Sequence, residues 1–187
     1  MSIVGSRKAS ADGLRRAAKL AAMLVDHGTV VVSGLAEGID AAAHTTAIER
    51  GGKTIAVLGT PLDKCFPAKN RDLQDRIMRE HLAVTQFAPG QNPGARAFPM
   101  RNRTMALLSD ATVIVEAGEK SGTIHQGWEA LRLGRTLFIM ESLVEKGFEW
   151  TSEMQRYGAL LLSESTRESF LANLPEESRV ERTQASF

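Results

Sequence analysis

Two runs of this chain, Thr29-Val30-Val31-Val32 and Thr112-Val113-Ile114-Val115, are β-branched and show no polar–apolar alternation. A strand with one face in water alternates; a strand without alternation is covered on both faces, as in a parallel sheet between two layers of helix. Further short strands are expected at residues 2–4, 54–58, 82–85, 136–140 and 159–162. Helical periodicity lies between them. Ser10 or Asp12 caps a helix whose apolar face is Leu14, Ala17, Ala18, Ala21 and Leu24, with Gly28 beyond its end. Other helices are expected at 39–49, 70–80, 99–108, from 122 through 133, at 152–157 and at 166–174. Strands alternating with helices imply a doubly wound, mostly parallel α/β sheet with helices on both faces. The expected organisation is one domain over residues 1–175 and a disordered polar tail over 176–187.

In such sheets ligands sit beyond the carboxyl ends of the strands. Here those ends are glycine- and hydroxyl-rich turns at 5–7, 33–38, 59–61 and 118–123, which read as one composite rim. Gly5-Ser6-Arg7 combines a sharp turn, a hydroxyl and a guanidinium, an anion-ready set that equally describes a tight turn with a solvated arginine. Ser33-Gly34-Leu35-Ala36-Glu37-Gly38 is a second such turn, and Ser121-Gly122-Thr123 opens a helix after a buried strand.

The strongest single signal is Phe98-Pro99-Met100-Arg101-Asn102-Arg103. Three arginines and no carboxylate lie between Glu80 and Asp110. Adjacent helical residues diverge by about 100 degrees, so one arginine can face the rim while the other pairs with a carboxylate of the body. Phe98 either stacks on a base or anchors the loop to the core. Lys69-Asn70-Arg71 is a second basic cluster.

Among 187 residues the formal net charge is only +1, but residues 1–140 carry 18 Lys/Arg against 13 Asp/Glu and the remainder 5 against 9. Local clustering decides, because attraction to phosphate decays over a Debye length of about 8–10 Å. No apolar run reaches membrane-spanning length, and the single Cys65 excludes an internal disulfide, so a cytoplasmic protein is expected. Neither G-x-G-x-x-G nor G-x-x-x-x-G-K-[ST] occurs, so a standard dinucleotide or nucleoside triphosphate site is unsupported. The four histidines stand singly, so no metal site and no cofactor are expected. Asp40 and His44 share a helix face and read as a structural pair. Ile124, Trp128 and Leu131 read as the core face of their helix, with His125, Glu129 and Arg132 opposite.

These segments resemble the central domain of the DNA-processing protein A (DprA/Smf) family. The matching stretches are Ile3 to Ser10, Val31 to His44, Gly52 to Thr60, Phe66 to Arg71, Phe98 to Arg103, Val115 to Gly122 and Tyr157 to Leu160. The resemblance implies an extended Rossmann-like fold and single-stranded DNA held in a basic pocket at the strand ends. It also implies homodimerisation and, in natural transformation, DNA uptake and recombination with hand-over to a RecA-type recombinase. Carried over residue by residue, the pocket would comprise Gly5, Ser6, Arg7, Ser33, Gly34, Lys69, Phe98, Arg101, Asn102, Arg103, Ser121, Gly122 and Thr123. No catalytic residue is implied. A first departure is that the family usually flanks this region with further domains, so a stand-alone form is expected.

After Ser121-Gly122 this chain has Thr123-Ile124-His125-Gln126 rather than a run of small and hydroxylated residues. That departure keeps two alternatives open. One is a nucleoside-monophosphate N-glycosidase of the cytokinin-activating (LOG-like) type, whose Gly-Gly-x-Gly-Thr-x-x-Glu signature aligns Gly122-Thr123 but puts Gln126 at the glutamate. Glu129, one turn later, is then the candidate catalytic glutamate. The other is a sensor that binds a small nucleotide without chemistry.

Overall fold

In the computed structural model, which describes residues 1–172, seven strands form one sheet in the order β4-β3-β2-β1-β5-β6-β7. The strands are β1 (Ser2–Gly5), β2 (Val31–Ser33), β3 (Thr54–Leu58), β4 (Leu82–Thr85), β5 (Ala111–Glu116), β6 (Thr136–Met140) and β7 (Leu160–Leu162), and every pairing is parallel. The helices are α1 (Ala11–Asp26), α2 (Ile39–Glu49), α3 (Arg71–Glu80), α4 (Ala97–Leu107), α5 (Gly122–Arg132), α6 (Glu141–Val144), α7 (Glu149–Arg156) and α8 (Arg167–Ala172), with a 3-10 turn at Ala68–Asn70 before α3.

The missing alternation has a simple origin. Along β1 and β5, Ile3, Val113 and Val115 point into one apolar cluster with Ala17, Leu20, Leu24 and Ala43 of α1 and α2. Val4 and Ile114 point the other way, into a cluster with Met105 of α4 and Met154 of α7. Both faces are core, so both sets of positions are apolar. A third cluster, Leu35, Ile48, Ala56, Leu58 and Ile77, closes the β3 side.

The chain winds outward from β1 to β4, then returns to lay β5 against the other edge of β1. That reversal opens a crevice beyond the carboxyl ends of β1 and β5, the topological switch point. The register slips by one residue there, Val4 opposing Ile114 but Gly5 opposing Glu116. Glu116 is thereby turned towards the start of α1, where its carboxylate accepts from the backbone N–H (2.9 Å) and hydroxyl of Ser10.

Several expectations change. Ser10, not Asp12, caps α1, and Leu14 is exposed, because the buried stripe runs through Gly13, Ala17, Leu20, Ala21 and Leu24. Helix α4 starts at Ala97 with Pro99 inside its first turn, where a missing N–H forfeits no helical bond. The buried face of α5 is Thr123, Gln126, Gly127 and Ala130, with Ile124, Trp128 and Leu131 half-buried on its flank. Trp128 there meets the Tyr157 ring edge-on at 5.4 Å. Helix α6 was not expected, and α7 begins at Glu149 rather than 152. The polar tail at 176–187 and the last residues of the expected helix 166–174 lie outside the described residues.

Candidate nucleic-acid interface

A cleft of about 420 Å³ occupies the switch point. Four segments line it: Val4 to Lys8 at the end of β1, Ala36 in the turn before α2 with Asp40 in the first turn of that helix, one face of α4, and the first turns of α5. The α4 contribution is Phe98, Arg101, Asn102 and Met105, a stripe at spacings of three, four and seven. The sequence carries that stripe, but only the packing of α4 against α5 and β3 aims it.

Arg101 is the buried member, 6% exposed despite its charge. Its Nη1 lies 3.9 Å from Asp40 Oδ2 and 3.5 Å from the Val57 carbonyl oxygen. Asp40 in turn accepts from the backbone N–H groups of Gly34 (3.2 Å) and Ala36 (3.3 Å). Burial pushes the Asp40 carboxyl up from the usual carboxylate range, against the pull of Arg101, and brings the Arg101 guanidinium down against the pull of Asp40. The guanidinium lies against Gly34 with Nη1 foremost: a Cβ there would stand 1.2 Å from Nη1 and 2.9 Å from Nη2. Only glycine leaves that slot open. Gly38 (φ +74) is required for a different reason, since a Cβ would strike the Ser6 and Arg7 carbonyl oxygens at 2.3 and 2.7 Å. That close approach fixes the Ser6-Arg7 loop over the cleft, with Ile39 N–H donating to the Ser6 carbonyl at 3.3 Å.

On the opposite wall, the Ser121 hydroxyl accepts from the Thr123 N–H (3.2 Å) and caps α5, whose first-turn N–H groups border the cleft. One turn deeper lies Gln126, 1% exposed, with neither amide atom hydrogen-bonded; Arg101 Nε is likewise unpartnered. Each such orphan costs about 1–3 kcal/mol of stability. Arg7 and Lys8 are exposed at the mouth. The Arg7 guanidinium lies 5.4 Å from the Phe98 ring centroid and 6.0 Å from that of Phe66, and the two rings are 5.5 Å apart. A smaller recess of about 50 Å³ continues beneath this trio towards Gly59 and Thr60.

The structure thus brings Gly5, Ser6, Arg7, Phe98, Arg101, Asn102, Ser121, Gly122 and Thr123 to one cleft, with Gly34 underneath Arg101. It places four expected residues elsewhere. Ser33 is fully buried and donates to the Ile3 carbonyl (2.6 Å), bracing β2 on β1. Lys69 forms an exposed ion pair with Glu37 at 2.6 Å. Arg103, two residues round the helix from Arg101, points to α5 and pairs with Glu129 at 3.1 Å. Glu129 also holds Arg132 and does not line the cleft. The expected Asp40–His44 pair does not form. Asp40 turns to backbone N–H groups, and His44 Nδ1 meets the Thr54 hydroxyl at 2.7 Å, with Thr54 donating to the Val31 carbonyl. Burial lowers His44 to about 3, so it is a neutral core residue.

Lys8, Met105 and Phe66 were not singled out from the sequence. Lys8 was legible as the next cation after Arg7; Phe66, 52% exposed beside Pro67, carries no sequence signal that separates it from a core aromatic. Among the described residues no His/Cys/Asp/Glu cluster could hold a metal ion, and no helix is long and apolar enough to cross a membrane.

The family model described as DNA recombination-mediator protein A matches residues 1–173. The DNA processing protein DprA of Streptococcus pneumoniae (strain ATCC BAA-255 / R6) is 40% identical over 147 residues, 79% of this chain and 52% of that protein. Its X-ray structure superimposes with a TM-score of 0.82 at 36% identity, covering 93% of this chain and 61% of that one. DNA processing protein A of Helicobacter pylori, a protein with a described single-stranded DNA binding mode, superimposes with a TM-score of 0.70 at 26% identity, covering 83% and 78%. The chain spans about half or less of the length of the curated relatives it matches.

Proposed function

Because the chain belongs to the DNA recombination-mediator protein A family, we propose that it binds single-stranded DNA in the switch-point cleft and serves DNA processing or recombination. The observation that carries this reading is the division of the cleft into a charged mouth and a narrow, partly apolar interior. Arg7 and Lys8 at the mouth, with the first-turn N–H groups of α5, suit phosphates. Val4, Met105 and Phe98 inside suit the flat apolar face of a base.

The size supports a single strand. About 420 Å³ lies within the range of pockets that take one small molecule, roughly 300–1,000 Å³. A duplex keeps its bases paired and stacked and offers none to such a cleft; an unpaired strand offers one freely. Homodimerisation, hand-over to a RecA-type recombinase and a role in natural transformation belong to the same proposal by family resemblance. The glycosidase alternative loses support from the location of Glu129, which is held between Arg103 and Arg132 away from the cleft.

Fluorescence anisotropy of a labelled oligo-thymidine, at low and moderate salt with duplex competitor, tests the reading. The expected outcome is strand-selective binding that weakens steeply with salt. Salt-indifferent affinity overturns it. No strand binding, together with thermal stabilisation by a free nucleotide, assigns the cleft to a nucleotide sensor instead.

A further inference from the structure

Gln126 presents an unusual chemical demand. Both atoms of its amide are buried and unpartnered, and the residue lines the cleft. An amide needs an acceptor for its NH₂ and a donor for its carbonyl oxygen. A phosphodiester only accepts, so it leaves Oε1 unsatisfied. A deoxyribose within a strand has no hydroxyl to donate. The part of a nucleotide that sets a donor beside an acceptor is the edge of its base.

We infer that Gln126 is a base-binding residue that hydrogen-bonds the edge of one unstacked nucleobase entering the cleft. The inference rests on the strand-binding reading above. The amide is buried, so recognition includes a side-chain rotation that turns it to the cleft. Arg101, orphaned at Nε in the same cleft, supplies a further donor for an acceptor on the base or its phosphate. Every base has a donor next to an acceptor on its pairing edge, and an amide can present its two ends either way round. Gln126 therefore distinguishes a base from an edge-less substitute more than one base from another. It also follows that the amide is held against stability: an apolar side chain of the same length would leave no orphan.

The test uses strands of abasic residues that carry either one thymine or one difluorotoluene, a thymine-shaped surrogate without a hydrogen-bonding edge. Wild type is expected to bind the thymine strand about tenfold more tightly. Gln126→Met is expected to bring that ratio close to one while melting at or above the wild-type temperature. A wild-type ratio near one, or a ratio that survives in a folded Gln126→Met, overturns the inference. Gln126→Leu stands in should the methionine variant not fold. Should neither strand bind in a salt-sensitive manner, the strand-binding reading itself fails. Thermal shift with free thymidine monophosphate against its difluorotoluene analogue then decides for Gln126: discrimination lost in the variant supports the role, and none in wild type overturns it.

Discussion

Gly34→Ala tests how Arg101 is held, because the reasoning predicts the sign of the effect. Gly34 is not at positive φ, so its backbone accepts alanine, and a compatible Gly→Ala exchange stabilises by about 0.4–1 kcal/mol through the unfolded chain. Here the new Cβ would stand 1.2, 2.4 and 2.9 Å from Nη1, Cζ and Nη2 of Arg101. Carbon packs at about 3.5 Å, so the guanidinium must retreat by about 2 Å. It then leaves the Val57 carbonyl and abandons Asp40 as a buried carboxylate without its cation. Breaking a buried pair by loss of one partner costs about 3–5 kcal/mol. The Arg101 contacts are long, at 3.5 and 3.9 Å, so the lower end applies, and the entropic gain offsets part. The net expectation is a loss of about 2 kcal/mol, or about 1 M in urea midpoint for a slope near 2 kcal/mol per M. On the proposed strand-binding reading, affinity for an oligonucleotide falls about tenfold or more as a charge-assisted bond is lost. Urea unfolding and anisotropy on one preparation read both quantities. A variant more stable than wild type, with unchanged affinity, refutes the account of Arg101.

Three further outcomes are expected. Arg7→Ala lowers the magnitude of the log-affinity against log-salt slope by about 0.7, the contribution of one phosphate contact on a single strand; an unchanged slope removes Arg7 from the interface. Arg103→Ala, which takes away an exposed pair with Glu129, weakens binding far less than Arg101→Ala and shifts stability by about 1 kcal/mol or less; the reverse ranking contradicts the placement of the two arginines. His44 is depressed to about 3 in the folded protein against an ordinary 6.5, so its contribution is present above pH 6.5 and lost as pH falls towards 3, because the unfolded chain takes up the proton first. The expected loss is about 1.4 kcal/mol per pH unit within that window, and His44→Asn should flatten the urea midpoint against pH there.

The fold class and the location of the rim are legible in the chain alone. Non-alternating β-branched runs such as Val113-Ile114-Val115 are legible because covering a sheet on both faces leaves no polar position to write into the chain. Glycine-punctuated turns after those runs are legible because conformational freedom is encoded locally, as at Gly38. Helix ends followed the same logic less closely: Ser10 and Ser121 cap as their chemistry suggests, while α7 begins where tertiary packing buries Trp150.

Which polar groups meet was settled only by the tertiary structure. Arg101, Asn102 and Arg103 are consecutive polar residues, yet Arg101 is buried on Gly34 at the cleft, Asn102 lines the cleft and Arg103 leaves for Glu129. That division depends on where α4 crosses the sheet relative to α5. Asp40 and His44 share a helix face, but the nearest partners of each lie on other segments, at Gly34 and at Thr54. Gln126 reads as an ordinary amide until β1, α4 and α5 close around it and leave it without a partner. Local sequence specifies backbone preference over a few residues; hydrogen bonds and burial between segments tens of residues apart arise only when the fold brings them together.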